Sequence, residues 1–158
     1  MSSMQPALNT HVHLPPNFSA FETAEDAVET AAAEGIRVLG ASTFPDVRIY
    51  GRFARAAAAA DVVPLFGLEL ISVIDALRDA GTRVNDPANP GRMYLCGKGV
   101  DPFATPTATA ASLMARVRAA DTDRMGALVP LLRARFAEAG LETTLTAESI
   151  AEEGAERA

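Results

Sequence analysis

Short apolar runs alternate with helical patterns along the first 70 residues of the chain, and this alternation restricts the fold more than any other feature. Strands are predicted over residues 7–12, 36–41 and 62–70, and the helices between them over residues 23–35 and 47–60. The third strand is apolar almost throughout, as expected of a strand that is covered on both faces. Strands and helices in this order and at this spacing predict βα units around a parallel sheet, and therefore an α/β fold.

The pattern is less regular in the second half of the chain. Four elements are expected there, a short helix, a fourth strand, a long helix and a short final helix, over residues 71–80, 93–96, 108–139 and 147–157 respectively. Pro130 lies inside the long helical stretch and predicts either one kinked helix or two. We therefore expect residues 1–100 to contain the βα units and residues 101–158 to be a helical segment of the same, incomplete domain.

Composition excludes several classes of protein. The chain has 14 basic and 20 acidic side chains, and its net charge of −6 argues against a general nucleic-acid binder and a polybasic membrane surface. No apolar run reaches the roughly 20 residues of a membrane-spanning helix, and the N-terminus does not resemble a signal peptide. The single cysteine, Cys96, excludes an internal disulfide and fits a reducing compartment. A cytoplasmic protein is therefore expected.

Both histidines of the chain lie in one tripeptide, His11-Val12-His13, at the predicted end of the first strand. Residues i and i+2 of a strand point to the same side, so the two imidazoles can converge on one ion. Glu69 ends the apolar run of the third strand, where a carboxylate is costly unless it pairs or binds a cation. These three side chains predict a metal-binding face. The alternative is that the histidines only form hydrogen bonds in a loop and that Glu69 points to solvent or meets an arginine.

Three further residues carry weaker signals. Asp46 follows the second strand and is a candidate ligand for the same metal, although a turn or cap role fits it equally well. Lys98 lies between two glycines whose open backbone amides, together with its charge, can hold an anion such as phosphate. Cys96 is expected to be a buried structural thiol rather than a nucleophile, because no third histidine is free to serve as its base.

These features together resemble the PHP superfamily, the polymerase and histidinol phosphatase type of metal-dependent phosphoesterase. The likeness rests on the His-x-His motif, a helix end, a strand end and the end of the third strand, namely His11-Val12-His13, Glu34-Gly35-Ile36, Ser42-Thr43 and Gly67-Leu68-Glu69. It is specific over residues 8–70 and looser over residues 85–99 and the long helix. The resemblance implies a distorted (β/α)7 TIM-like barrel, a cluster of two or three divalent ions (Zn, Mn or Fe), and hydrolysis of a small phosphorylated substrate by metal-activated water.

The resemblance assigns His11 and His13 to the first ligand pair of the family and Glu69 to its bridging carboxylate. The chain departs from the family after the second strand, where Thr43 stands at the usual aspartate ligand and Phe44 at the usual histidine. With no third histidine in the chain, a complete family cluster cannot form from this sequence. Activity of the 158-residue chain by itself therefore does not follow from the resemblance.

Chain length bears on the same question. A later family histidine would fall near Leu95 or Cys96 and is absent, and the remaining family ligands would lie beyond Ala158. A seven-unit barrel is expected to need well over about 200 residues, by analogy with the eight-unit barrel. We therefore expect a partial barrel, the N-terminal portion of a PHP-like hydrolase, with exposed strand edges that favour self-association. The alternative is a degenerate, non-catalytic PHP-like domain that binds a ligand or a partner chain.

Overall fold

The computed structural model of the chain describes the backbone of residues 7–156 and the side chains of residues 7–151. The chain divides into two compact units, one ending at Phe103 and the other beginning at Ala104. That the second unit belongs to the same domain as the βα units stays a prediction.

The first unit alternates strands and helices in the predicted order. Its elements are β1 (Ala7–Val12), α1 (Ala24–Ala33), β2 (Ile36–Thr43), α2 (Tyr50–Ala59), β3 (Val63–Val73), α3 (Asp75–Asp79) and β4 (Arg92–Lys98). Within the described residues the sheet has four strands in the order β1-β2-β3-β4, and β2 pairs in parallel with both β1 and β3. The α/β class and the first three strands are therefore confirmed.

Helix α1 begins and ends where local chemistry predicts. The Thr23 hydroxyl accepts a hydrogen bond from the backbone N–H of Asp26 at 3.1 Å, and the Asp26 carboxylate accepts one from the backbone N–H of Thr23 at 3.0 Å. This reciprocal pair is a capping box, which satisfies two backbone donors at the helix start. Gly35 follows the helix with φ of 76°, a left-handed conformation that glycine adopts without strain.

The fourth strand differs from the expected regular barrel. β4 runs antiparallel to β3, and residues 71–73, expected in a helix, extend β3 instead. The connection between β3 and β4, residues 74–91, contains the five-residue helix α3, which is about 7.5 Å long. Arg92 pairs with Val73, so β4 starts beside the end of β3 and runs back along it. Residues 7–156 thus show a four-stranded α/β sheet, and a complete (β/α)7 barrel goes beyond what they show.

The core lies between the sheet and helices α1 and α2, and the buried hydroxyl of Tyr50 connects it to the strand ends. This hydroxyl donates to the carbonyl of Gly67 and accepts from the backbone N–H of Thr43 at 3.3 Å. The Thr43 hydroxyl lies 2.9 Å from the same oxygen and donates to the carbonyl of Asp46 at 2.7 Å. Tyr50 therefore fixes α2 against the ends of β2 and β3, which carry part of the candidate site.

Removal of this hydroxyl in Tyr50→Phe is expected to lower the free energy of unfolding by about 1–2 kcal/mol, because Gly67 and Thr43 each lose a buried hydrogen-bond partner. Urea unfolding followed by circular dichroism measures the change. Tyr94→Phe is the matched control, since Tyr94 is the other tyrosine of the chain and is half-buried on β4. We expect that control to change stability by less than about 0.5 kcal/mol. Equal losses in the two variants would contradict the role of Tyr50.

In its described residues the second unit contains two helices, α4 (Ala108–Glu138) and α5 (Ala147–Glu156). α4 begins at Thr107, whose hydroxyl accepts from the backbone N–H of Ala110 at 3.2 Å. The helix continues through Pro130, so the structure shows one 31-residue helix rather than two. Across the described residues, no helix combines the length and the apolar character needed to cross a bilayer.

Candidate metal centre

The candidate centre lies on the face of the sheet opposite α1 and α2, which we call the open face. On β3, the ring of Phe66 packs on the helix side, with its centroid 5.3 Å from that of Tyr50 and 5.9 Å from that of Phe53. Successive strand residues point to opposite sides, so Glu69, three residues further on, points to the open face. Cys96 is the β4 partner of Glu69 and shares this face, because directly paired residues lie on one side of a sheet.

The structure brings three of the predicted ligands together across β1 and β3. Oε2 of Glu69 lies 2.8 Å from Nε2 of His11 and 3.4 Å from Nε2 of His13. The last β2 residue, Thr43, pairs with Leu68, so Glu69 stands one residue beyond the end of β2. The carboxylate can therefore reach past β2 to the histidines at the end of β1.

Burial of the Glu69 carboxylate costs free energy unless its negative charge is compensated. Its side chain is 7% exposed, against 22% for His13 and 42% for His11. Among the described residues its ion-pair partners are these two histidines, so it neither points to solvent nor meets an arginine. An imidazole carries charge only when it is protonated. With both rings neutral, the buried carboxylate needs a cation to compensate its charge.

The spacing of Glu69 and His13 fits two ligands of one metal ion, whereas Nε2 of His11 lies at a hydrogen-bonding distance of 2.8 Å from the same Glu69 oxygen. Zinc bond lengths place tetrahedral ligand atoms about 3.3–3.6 Å apart, close to the 3.4 Å between Oε2 of Glu69 and Nε2 of His13. The other ring nitrogen of His13, Nδ1, is buried without a hydrogen-bond partner among the described residues. A purely structural histidine would normally satisfy both of its nitrogens. Hydrogen bonding thus leaves Nδ1 of His13 unexplained, and both the metal site and the hydrogen-bonding alternative stay predictions.

Cys96 is a member of the cluster that sequence reasoning missed. The prediction of a buried structural thiol is wrong, because Cys96 is exposed on the open face. Its Sγ lies 3.7 Å from Oε2 of Glu69 and 3.8 Å from Nδ1 of His11. Partial desolvation of the sulfur raises the pKa of the Cys96 thiol, the Glu69 carboxylate raises it further, and Lys98 opposes them. Without a bound ion the group is therefore a protonated thiol at neutral pH.

Lys98 crosses the open face from β4 to β1. Its Nζ donates to the carbonyl oxygen of Thr10 at 2.7 Å and to the hydroxyl of Ser42. Lys98 pairs with Gly67 on β3, and Gly67 pairs with Ser42 on β2. Because Gly67 has no side chain, the lysine side chain can pass over it to reach Ser42. An ammonium has three N–H donors, and these two contacts use two of them. The predicted role of Lys98 in binding phosphate stays a prediction.

The loop after β2 contributes less to the centre. Asp46 accepts from the Arg48 side chain, whose Nε lies 2.9 and 3.0 Å from the two carboxylate oxygens. The compact group of ligand atoms on the open face does not include Asp46, and its role as a ligand stays a prediction. Thr43 is fully buried and bonded to Tyr50, and the ring of Phe44 lies 5.2 Å from that of His13. Neither position supplies a ligand in this chain.

Comparison with known proteins supports the fold. No protein family and no curated protein matches the chain. Among solved structures the chain is similar to an amidohydrolase from Chromobacterium violaceum, with a TM-score of 0.60 and 20% sequence identity over 81% of this chain. That protein was solved with sulfate bound and without metal. The chain spans 39% of its length, well under half, and the likeness shows a common fold.

Proposed function

We propose that the chain forms part of a metal-dependent hydrolase and that His11, His13 and Glu69 bind its divalent ion. The buried carboxylate of Glu69 carries this proposal, because it meets both histidines and no arginine or lysine pairs with it in the described chain. The similarity to an amidohydrolase supports a hydrolase. The chain covers less than half of that protein, so the activity of a complete protein is part of the proposal.

The donor set suits zinc, iron or manganese, since imidazole and carboxylate bind all three. When bound, such an ion supplies Lewis acidity and lets water ionise near neutral pH. The residues of this chain hold the donors in place, because His11 lies on β1, His13 directly follows β1, and Glu69 lies on β3. His11 is 42% exposed, which leaves one side of the centre accessible to substrate and water.

A phosphoric ester is the finer part of the proposal, and it is the substrate class that the PHP resemblance implies. Lys98 lies on the same face, where its ammonium would offset charge on a phosphoryl group. The similar amidohydrolase binds sulfate, a tetrahedral dianion with the shape of phosphate. An amide or another ester is the competing substrate class.

The proposal is tested with the tag-free chain, because a histidine tag would compete for metal. After chelator treatment, the protein is titrated with Zn²⁺ or Mn²⁺ by calorimetry and assayed with p-nitrophenyl phosphate and p-nitrophenyl acetate. We expect metal binding that the double variant His11→Ala/His13→Ala loses, and metal-dependent hydrolysis of the phosphate ester. Lys98→Met is expected to weaken inhibition by inorganic phosphate about tenfold and to leave zinc binding intact.

Each other outcome identifies which part fails. Absence of metal binding overturns the metal centre. Binding without hydrolysis, in this chain and in any longer version of its reading frame, overturns the hydrolase and favours the non-catalytic alternative, a domain that binds a ligand or partner. Hydrolysis of the acetate alone overturns the phosphoesterase and retains the hydrolase.

A further inference from the structure

A thiol stands beside the proposed ligands in a position set by the antiparallel strand β4. Cys96 pairs directly with Glu69 across β3 and β4, so the two side chains leave the same face of the sheet. One ligand atom from each of His11, Glu69 and Cys96 can be chosen so that all lie within 4.8 Å of one another. The three residues come from three different strands, β1, β3 and β4. This convergence is a property of the whole sheet and not of one loop.

The distance between the Cys96 sulfur and the Glu69 oxygen suits two ligands of one ion. Sγ of Cys96 lies 3.7 Å from Oε2 of Glu69. Zinc bonds of about 2.3 Å to sulfur and about 2.1 Å to oxygen place these two ligand atoms about 3.6 Å apart in a tetrahedron. Neutral thiols are weak hydrogen-bond donors, so the contact with Glu69 gives little reason by itself for a cysteine at this position.

We infer that Cys96 is a ligand of the proposed centre and that, with His11 and Glu69, it selects a thiophilic divalent ion such as zinc over manganese. The inference rests on the proposed function, because it concerns the same ion. Together with His13 these three donors would fill four positions, so substrate or water would take a fifth position, to which zinc can expand during catalysis. His13, one residue beyond β1, meets the same Glu69 oxygen. Manganese prefers oxygen ligands, and thiolates select softer ions.

Coordination changes the protonation state of the cysteine. The bond that forms joins Sγ to the ion, the S–H bond breaks, and the proton is released to solvent. No oxidant or reductant takes part. The sulfur is therefore a thiolate in the loaded protein and a thiol in the metal-free protein.

Cobalt titration tests the inference directly, since a cysteine thiolate bound to Co²⁺ gives a charge-transfer absorption in the near ultraviolet. The chain contains one cysteine, so any such band from a complex of one ion per chain reports Cys96. The tag-free chain is titrated with Co²⁺ without oxygen, and the band per ion is compared at two protein concentrations. We expect a band in the native chain that is independent of dilution and absent in Cys96→Ser.

Affinity supplies the second readout. Cys96→Ser is expected to weaken zinc binding at least about tenfold and manganese binding less than about threefold, because serine retains size and polarity but loses the soft donor. Cys96→Ala checks that the hydroxyl of serine is not itself a ligand. Cys96 is exposed, so both variants are expected to retain the native circular dichroism spectrum.

The outcomes separate this inference from the proposed function. If the native chain binds Co²⁺ and Zn²⁺ through its histidines without the band, and Cys96→Ser binds zinc equally well, Cys96 is not a ligand and the proposed function stands. A band that disappears on dilution assigns the thiolate to an ion shared between two chains and also overturns the inference. If the native chain binds no divalent ion, both proposals fall.

Discussion

Glu69→Gln is expected to weaken zinc binding by about 100-fold or more. Removal of a residue that only hydrogen-bonds to a metal ligand costs about 10- to 100-fold, and loss of a ligand should cost more. Glu69 is the residue that contacts His11, His13 and Cys96 at once. Glutamine retains the size of the side chain but removes its negative charge, so it cannot neutralise part of the charge of a divalent ion. Calorimetric titration of the tag-free, reduced protein measures the loss.

The same substitution is expected to leave the metal-free protein at least as stable as the native chain. A buried carboxylate without a fixed positive partner is destabilising, and a neutral amide of the same shape removes that penalty. Zinc should therefore raise the melting temperature of the native protein and leave that of Glu69→Gln unchanged. Loss of affinity with no loss of fold is the result expected of a ligand.

Glu25→Gln is the matched control for this experiment. Glu25 lies on α1 and accepts from Nε of Arg52 at 2.7 Å, on the helix side of the sheet. Its zinc affinity is expected to lie within about twofold of the native value, because it contacts none of the proposed ligands. Equal losses in Glu69→Gln and Glu25→Gln would indicate a general effect of net charge and would contradict the assigned centre.

The sequence was sufficient for elements that carry their own local signals. Helix α1 has its capping box at Thr23 and its left-handed glycine at Gly35, and both residues can be recognised in the sequence. The C-terminal ends of β2 and β3 were harder to predict from the sequence, because the length of a strand depends on the strand with which it pairs. β2 continues to Thr43 against β3, and β3 continues to Val73 against β4.

The candidate centre was predictable in part for the same physical reason. The ends of parallel strands meet at one edge of a sheet, and this rule places His11, His13 and Glu69 together without any further knowledge. The position of Cys96 depends on the direction and register of β4, which follow from tertiary pairing rather than from periodicity. The ion pair between Asp46 and Arg48 could have been predicted from the sequence, because the two residues are two positions apart.

A second large effect is expected at a glycine that faces the neighbouring strand. Gly40→Ala should lower the free energy of unfolding by about 3 kcal/mol. A Cβ at Gly40 would stand 2.5 Å from the carbonyl oxygen of Thr10 and 2.7 Å from its carbonyl carbon and Cα. These are backbone atoms of β1, so no side-chain rotation can relieve the contact, and β1 must move.

Gly51→Ala makes the same chemical change where the structure has room. Gly51 lies in the first turn of α2, and an added Cβ would meet Nη1 of Arg55 at 3.7 Å, an ordinary contact. Alanine loses less backbone freedom than glycine when a helix forms, so this variant is expected to gain about 0.5–1 kcal/mol. Urea unfolding of both variants measures the difference, and changes of the same sign would contradict the close approach of β1 and β2.

Gly40→Ala should also affect the centre, although Gly40 supplies no ligand. β1 carries His11 and the Thr10 carbonyl that accepts from Lys98, and His13 directly follows it, so a displaced β1 moves the nitrogen donors relative to Glu69. We expect zinc affinity to fall at least about tenfold, measured without denaturant at a temperature at which the variant is still folded. Native affinity in a destabilised Gly40→Ala would mean that the histidines do not depend on the position of β1, and the geometry assigned to the centre would then be wrong.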